Sequence, residues 1–439
     1  MTFAPRDAAA QGMGLIRDTE IENTIDAYSS PIFEAAGITP GTIRIRIIAD
    51  DSLNAFVTNG NRMFLNTGTL MAANSSSEVI GVIAHETGHI VGGHAVTFSD
   101  QMEAALRTTL LTTLLGVAAG VATGNSDVGM AVALGGQGTA QRQLLAFNRG
   151  QESSADQFAL TALEETQQSA AGLYRFFDRI SGQELLITDR QDPYIRTHPL
   201  TRDRMATIRA HLATSEYSEK PADEDLEHRH QRMVAKLYSF LKPQFSTLQK
   251  YPETDVSVPA RYARSIAHYR RGRLDLSVPL IDGLIEEQPE DPYFWELKGQ
   301  MLFENGRIDE AIVAYREANR LLTFEPLMLV SMAHAMVESG DPQYVKETQD
   351  ALRVALQQDP TDAFAWDLSA KSYAINGQEG LSAYAAAERA LLYGQLGEVV
   401  RYVRKAEEEI PSGTPIWVRI QDIKAVTRNY MEEMRDRRR

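Results

Sequence analysis

Residues 79–95 read VIGVIAHETGHIVGGHA and contain the pattern His-Glu-Thr-Gly-His at 85–89. On an α-helix, residues four positions apart differ by only about 40° in direction, so His85 and His89 lie on one face, where one metal ion can bind both. Glu86 lies about 100° round the helix, where it can act as a general base without binding the metal. The first turns are apolar and would hold the histidines rigidly in a core, through Val79, Ile80, Val82 and Ile83. The stretch therefore predicts a buried metal-binding helix.

The composition limits the chemistry available to the rest of the chain. Its 439 residues include 59 Asp and Glu against 44 Lys and Arg, 9 His and no Cys, for a net charge of −15. The absence of Cys excludes disulfides, thiolate metal ligands, a thiol nucleophile and a lipid-bearing cysteine. The acidic balance argues against a nucleic-acid partner, which would need a basic surface. Catalysis must therefore use His, carboxylates, hydroxyls or Lys.

A third metal ligand is expected beyond this helix, because catalytic zinc takes three protein ligands and a water. His94 is the first candidate, but an extended HExxHxxGxxH pattern would need a histidine at position 95, where Ala95 stands. We expect His94 to be a surface residue at the helix end. Glu152, within NRGQESSADQFAL (148–160), is the better candidate. Asp156 lies four residues later on the same helix face, where it can accept the outer N–H of a ligand imidazole.

Several motifs in this half of the chain, over about residues 15–210, resemble those of the M48 family of zinc metalloproteases. They are, in order, Asn54-Ala55-Phe56, HETGH at 85–89, Glu152 with Asp156, and Thr197-His198-Pro199 followed by Arg204. The resemblance implies one Zn²⁺ held by His85, His89 and Glu152, with Glu86 as the base. It also implies that His198, supported by Arg204, approaches the metal or the oxyanion and can close the open metal position. From the residues alone, the less favoured alternative is a turn histidine before a solvated Arg-rich helix.

The segments around the metal-binding helix alternate between helical and strand periods. A helix is predicted over 14–40 and a strand over 41–50, where Ile and Arg alternate. Asn59-Gly60 predicts a hairpin between two short β-prone runs. We therefore expect an α+β, mostly α fold: a zincin-like metalloprotease domain with a small β-sheet, followed by an all-α tetratricopeptide-like solenoid. One of the two strands, 54–58 or 63–67, would be the edge on which a peptide adds, with Asn54, Ala55 and Phe56 binding substrate.

Residues 103–140 form a long segment that is apolar but interrupted by Thr, Gly and Asn. Its length and apolarity favour buried helices or a mobile apolar hairpin over a membrane-dipping element. The segment lies between the two halves of the predicted metal site. We therefore expect a lid near the active-site mouth, with possible peripheral contact to a membrane or a client.

The second half of the chain repeats itself. Asp291-Pro292, Glu325-Pro326 and Asp359-Pro360 recur every 34 residues, as do Gly272, Gly306 and Gly340. This period, with Gly in a turn and Pro at the joint, is typical of tetratricopeptide repeats. In the unit 292–325 the large and small positions of that repeat are filled by Trp295, Gly299, Ala311, Tyr315 and Ala318. Stacked units would form a solenoid whose concave face binds peptide segments.

These observations predict a protease domain over 1–212, a helical connector over 213–258 and a repeat domain over 259–439. The N-terminal residues lack the pattern of a signal peptide, so the chain is cytosolic or its signal has been removed. Resemblance to periplasmic family members that carry repeats favours the periplasm, with unfolded or misassembled outer-membrane proteins as clients and their assembly machinery as a partner. The alternative is a tetratricopeptide chaperone or scaffold with an inactive protease half.

Overall fold

The structure is a computed structural model that describes residues 2–3, 14–58, 60–123, 126–182 and 192–436. The chain divides into two compact units, Met1–Leu237 and Tyr238–Arg439. The boundary between them lies within one helix, Glu224–Leu241. The domain limits at 212 and 259 that the sequence suggests stay predictions.

The first unit contains a five-stranded mixed sheet in the order β1-β2-β3-β5-β4. Strands β3 and β5 are parallel, and the other neighbours are antiparallel. The strand predicted near 41–50 and the hairpin are confirmed as β3, β4 and β5, although Asn59 lies outside the described residues. The strand bounds are β1 Thr2–Phe3, β2 Leu15–Arg17, β3 Arg44–Ile48, β4 Ala55–Thr58 and β5 Arg62–Asn66.

The predicted helix over 14–40 is wrong at both ends, since α1 spans only Thr19–Ala35. Residues 15–17 form β2 instead, because they pair with β3. Asp18 separates the two elements, since its side chain caps α1 by accepting a 3.1 Å hydrogen bond from the Ile21 N–H.

The HETGH sequence lies on helix α3 (Ser76–Val91), which packs against α1, α5 (Ser126–Glu165) and α6 (Ala171–Ser181). Glycines on α3 allow these helices to approach closely. A Cβ at Gly88 would lie 2.8 Å from the Ala155 backbone on α5, and one at Gly81 would lie 2.7 Å from Leu173 Cβ on α6. Any side chain at position 88 would therefore push α5 away from the two histidines. The helix bounds are α2 Thr67–Ala72, α3 Ser76–Val91, α4 His94–Thr123, α5 Ser126–Glu165, α6 Ala171–Ser181, α7 Pro193–Thr197, α8 Arg202–Leu212 and α9 Glu224–Leu241.

The apolar segment 103–140 lies on α4 and α5, which pack mainly on each other as a helical hairpin. Its large side chains, where the structure describes them, face solvent: Leu110 is 65% exposed and Leu114 is 66% exposed. Of the two forms predicted for this segment, the described residues show an apolar hairpin rather than buried helices, while its mobility and its role as a lid stay predictions. Within the described ranges, no helix has both the length and the apolarity needed to cross a membrane.

The second unit consists of helix pairs, as the 34-residue period predicts. Gly272, Gly306 and Gly340 lie between the helices of successive pairs with φ of 71°, 77° and 66°, a left-handed conformation that favours glycine. Gly299 contacts the Tyr315 ring so closely that a Cβ added at position 299 would lie 2.7 Å from the ring atoms. The bounds are α10 Gln244–Lys250, α11 Val258–Tyr269, α12 Leu274–Glu287, α13 Pro292–Glu304, α14 Ile308–Leu321, α15 Pro326–Ser339, α16 Val345–Gln358, α17 Ala363–Ile375, α18 Glu379–Leu392, α19 Leu396–Glu409 and α20 Pro415–Asp436.

Candidate metal centre

Three elements bring four buried side chains together in the first unit. His85 and His89 project from α3, Glu152 from α5, and His198 directly follows α7. Their ligand atoms all lie within 4.8 Å of one another. His85 Nε2 lies 3.2 Å from His89 Nε2 and 3.3 Å from a Glu152 oxygen, and His89 Nε2 lies 3.4 Å from the other Glu152 oxygen. The two helices therefore place the three predicted ligands at one point.

His198 supplies a fourth donor atom at the same point. Its Nδ1 lies 3.4 Å from His85 Nε2 and 3.1 Å from Glu152 Oε1. Ligand distances of about 2.0–2.2 Å around a tetrahedral zinc ion correspond to about 3.3–3.6 Å between ligand atoms. The separations of 3.1–3.4 Å given above lie within or slightly below that range, and an N₃O donor set suits zinc and neighbouring transition metals. With His85, His89 and Glu152 as ligands, His198 Nδ1 would fill the position that a catalytic site leaves to water or substrate.

The electrostatics of the metal-free cluster place His89 and Glu152 in the protonation states that bind a metal, whereas His85 carries a proton that a metal would have to displace. Burial, together with the neighbouring His85 and His198, lowers the pKa of His89 to about 2, so its imidazole is neutral. Burial alone would raise the pKa of Glu152, but His198 and His85 hold it well below the usual range. Without a metal, burial disfavours the charged form of His85, yet its contacts with Asp156 and Glu152 raise its pKa to about 9. A bound cation would take over the compensation that this proton provides.

Glu86 is fully buried, and neither of its carboxylate oxygens has a hydrogen-bond partner. His198 Nε2 lies 3.6 Å from Glu86 Oε1. Burial raises the pKa of Glu86. An unpaired buried carboxylate is costly for the fold. Glu86 is thus a buried carboxylate without a hydrogen bond, beside four atoms that could hold a metal ion.

Asp156 and Arg204 link the predicted ligands His85 and Glu152 through a further set of polar contacts. Asp156 Oδ1 lies 2.9 Å from His85 Nδ1, the nitrogen that faces away from the cluster. Arg204 donates to both Asp156 oxygens over 2.6 and 2.8 Å, and its Nη1 lies 2.9 Å from Glu152 Oε2. Although burial opposes it, the hydrogen bonds from Arg204 and His85 lower the pKa of Asp156 to about 2. Arg204 also donates to the Pro199 carbonyl over 2.9 Å, which fixes the turn that carries His198.

Burial rules out the solvent-exposed interpretation of these late motifs. Arg204 is only 4% exposed and His198 only 6%. Tyr194, which no sequence motif singles out, is fully buried and stacks on the His198 ring at 4.7 Å between centroids. Its position four residues before His198 is a signal that could have found it, because residue 198 lies one helical turn beyond residue 194, and the His198 N–H donates to the Tyr194 carbonyl over 2.7 Å.

The expectation that His94 is a surface residue is wrong. Its side chain is buried, and its Nδ1 lies 2.9 Å from His89 Nδ1, on the side of the ring away from the cluster. His94 is absent from the group of four residues with converging ligand atoms. The chain turns back here because Gly93 adopts a left-handed φ of 61°.

The Asn54-Ala55-Phe56 motif lies where the sheet meets α3. Asn54 precedes β4, Ala55 is buried within it, and the Phe56 ring stacks on Phe64 of β5 at 5.1 Å. Strand β4 is the last strand of the sheet and contacts α3. Strand β5 lies between β3 and β4, so the alternative edge at 63–67 is excluded.

A helix with HExxH, a glutamate from a second helix and an unpaired buried glutamate define a metalloprotease. Residues 17–212 match the family described as "Peptidase family M48", and residues 262–326 match the one described as "Tetratricopeptide repeat". The chain thus carries a peptidase family M48 domain followed by tetratricopeptide repeats.

Relatives of this chain share both parts of it. It is 20% identical over 404 residues to the beta-barrel assembly-enhancing protease of Yersinia pestis, covering 91% of this chain and 82% of that protein. It is 21% identical over 405 residues to the protein of the same name from Escherichia coli strain K12, covering 91% and 81%. A putative beta-barrel assembly-enhancing protease of Vibrio cholerae is 21% identical over 408 residues, covering 91% and 82%.

Proposed function

We propose that this protein is a zinc-dependent endopeptidase that removes unfolded or misassembled outer-membrane proteins in the periplasm. The observation that carries the proposal is the convergence of four donor atoms beside the unpaired Glu86 carboxylate. His85, His89 and Glu152 would hold the ion. When bound, Zn²⁺ supplies Lewis acidity that polarises a scissile carbonyl and makes a water acidic.

Glu86 would act as the general base and then as the acid. Its unpaired oxygens can take a proton from the attacking water and return it to the leaving amine. Its raised pKa suits both steps, because such a group binds and releases a proton nearer neutral pH. Arg204 and Asp156 would act by positioning, since they contact the ligands from the side away from the reacting atoms.

Substrate would bind as an added strand at the edge of β4. Asn66 N donates to Asn54 O over 3.0 Å, and bonded pairs alternate along an antiparallel ladder. Residues 56 and 58 therefore bond to β5, while the N–H and C=O of Ala55 and Val57 point to the open edge. Backbone pairing of this kind tolerates many sequences, which suits a protease that acts on unfolded chains.

We further propose that His198 keeps the enzyme latent. Its Nδ1 would occupy the fourth ligand position, since it lies 3.1 Å from Glu152 Oε1. The His198 ring stacks on Tyr194, and Arg204 donates to the Pro199 carbonyl beside it. Activation would require the turn after α7 to move, so that His198 leaves this position and can assist the oxyanion. Low basal activity would then be expected of an intact enzyme, which a scaffold with an inactive protease half would also show.

Client selection would rest with the parts of the chain outside the metal site. The repeats would dock a client or the outer-membrane assembly machinery, as the name of the relatives suggests. The exposed leucines of the α4–α5 hairpin, which follows directly on α3, would contact an unfolded client or a membrane surface.

The test compares casein cleavage by the wild type, Glu86→Gln and His198→Ala, with metal analysis of each protein. We expect one zinc per chain in wild type and Glu86→Gln, loss of cleavage in Glu86→Gln by about 10²–10⁴-fold, and faster cleavage by His198→Ala. A folded wild type without zinc, or a Glu86→Gln variant as active as wild type, would sink the enzyme proposal. A slower His198→Ala variant would refute latency but not the protease function.

A further inference from the structure

We propose that His94 is a positioning residue for the metal ligand His89, and that the Gly92-Gly93 turn exists to place it there. The proposal rests on the metal site proposed above. His94 would hold the His89 ring in the tautomer and orientation that metal binding requires, as Asp156 does for His85.

The contact between His94 and His89 is made by the His89 nitrogen that faces away from the predicted metal position, as a positioning role requires. His89 Nε2 faces His85 and Glu152, so its Nδ1 is the outer nitrogen. When Nε2 binds a metal, Nδ1 carries the proton and must donate it. His94 Nδ1 lies 2.9 Å away and is positioned to accept. His94 therefore stands where a carboxylate or a carbonyl usually stands behind a ligand histidine.

The main chain is built to bring the His94 ring back onto α3. Helix α3 ends at Val91, and Gly93 takes the left-handed conformation that reverses the chain. The ring then lies directly over Gly92, where an added Cβ would be 2.3 Å from His94 Nε2 and 2.7 Å from Cδ2. Only glycine leaves room for the imidazole at that position.

A further contact fixes His94 relative to the second ligand helix. The Gln151 side-chain amide donates to the His94 carbonyl over 3.3 Å and to Thr97 Oγ1 over 3.0 Å. Gln151 directly precedes the ligand Glu152, so the start of α4 and the ligand-bearing turn of α5 are held together. The position of His94 is thus set from both ligand helices.

The test measures metal binding by the full chain rather than cleavage. Zn²⁺ affinity is determined by competition with a chromophoric chelator, and Co²⁺ is added alone to record its visible absorption bands. We expect His94→Ala to weaken Zn²⁺ binding by about 10–100-fold and to shift the Co²⁺ bands. His94→Asn places an amide oxygen near the Nδ1 position and should restore most of the affinity. Gly92→Ala leaves the imidazole in the chain but crowds it, and should weaken binding as His94→Ala does.

The matched control is His228→Ala, since His228 is an exposed histidine of the same unit, on α9. It should change neither affinity nor spectrum. The inference is overturned if wild type binds Zn²⁺ and His94→Ala binds it equally well with the same Co²⁺ spectrum. It is also overturned if His94→Asn is no better than His94→Ala, because the loss would then be one of packing. A wild type that binds neither metal would instead overturn the proposed function and this inference with it.

Discussion

Removing the Arg204 guanidinium should destabilise the first unit by an amount that the contacts allow us to estimate. Arg204 is 4% exposed and makes two hydrogen bonds to Asp156, of 2.6 and 2.8 Å, besides its ion pair with Glu152. Arg204→Met keeps an unbranched stem that can still pack on the Phe177 ring, over which the guanidinium lies at 5.0 Å. It leaves two buried carboxylates without their shared cation.

Removing one partner of a buried ion pair costs about 3–5 kcal/mol. For a unit of about 240 residues, each kcal/mol lowers the unfolding midpoint by about 2–4 °C, so we expect a decrease of about 6–20 °C. A decrease of this size is many times the error of a thermal melt.

The assay uses the placement of the tryptophans. Trp295, Trp366 and Trp417 are the three tryptophans of the chain, and all belong to the second unit. Tryptophan fluorescence therefore follows the repeats, whereas far-ultraviolet circular dichroism follows both units. With metal removed by a chelator, Arg204→Met should lower the circular-dichroism transition and leave the fluorescence transition near its wild-type midpoint.

The matched control is Arg209→Met, on the same helix. Arg209 is exposed and donates to the Tyr174 hydroxyl, so its loss should leave the midpoint unchanged within error. If Arg204→Met lowers the midpoint by less than about 2 °C, or no more than the control does, the idea that Arg204 compensates two buried carboxylates is wrong.

Three further results follow from the same structure. Because the pKa of Asp156 is lowered from 3.8 to about 2, its contribution to stability is full above pH 3.8 and is lost as the pH falls toward 2. The free energy of unfolding of the metal-free protein, measured with urea, should therefore decrease over that pH range more in wild type than in Asp156→Asn. Parallel pH profiles of the two proteins would contradict this. Val57→Pro should raise KM for peptides while leaving the hydrogen bonds between β4 and β5 intact. Phe56→Pro instead removes one of those hydrogen bonds and should lower the melting temperature. If the two variants have equal effects on KM and on melting temperature, the proposed substrate-binding edge is excluded. Gly299→Ala forces a Cβ to within 2.7 Å of the Tyr315 ring and should destabilise the repeats by about 1–3 kcal/mol. The fluorescence midpoint of this variant should therefore be lower than that of wild type. The control variant Gly283→Ala has open space around the added Cβ and should not lower the midpoint.

The parts of the site that local periodicity governs could be predicted from the sequence. The four-residue spacings of His85 with His89 and of Glu152 with Asp156 each place two side chains on one helix face, and both pairs meet in the structure. The 34-residue period likewise specified the left-handed turn glycines of the repeats. In each case a short-range rule of backbone geometry is enough.

The predictions that were wrong concern residues whose positions depend on contacts with parts of the chain that are distant in sequence. Residues 15–17 form a strand only because β3 is there to pair with, and the leucines of α4 are exposed only because few other elements pack against the hairpin. His94 was assigned to the surface because a Gly-Gly sequence suggests a loose helix end. His94 is buried instead because Gly93 turns the chain back toward α3. The direction of that turn depends on the φ angle of Gly93, which cannot be predicted from the residue types alone.

The placement of His198 Nδ1, 3.1 Å from Glu152 Oε1 and 3.4 Å from His85 Nε2, bears on how such a protease could be inhibited. Hydroxamates and related chelators inhibit open metalloproteases by occupying the vacant coordination position. If His198 fills that position, as proposed above, they would have to displace an imidazole that is tethered to the same chain, whose effective concentration is about millimolar or higher. Such compounds should bind weakly and slowly. A molecule that instead braced the turn after α7 in its closed position would inhibit without touching the metal, and would discriminate against metalloproteases that lack this histidine.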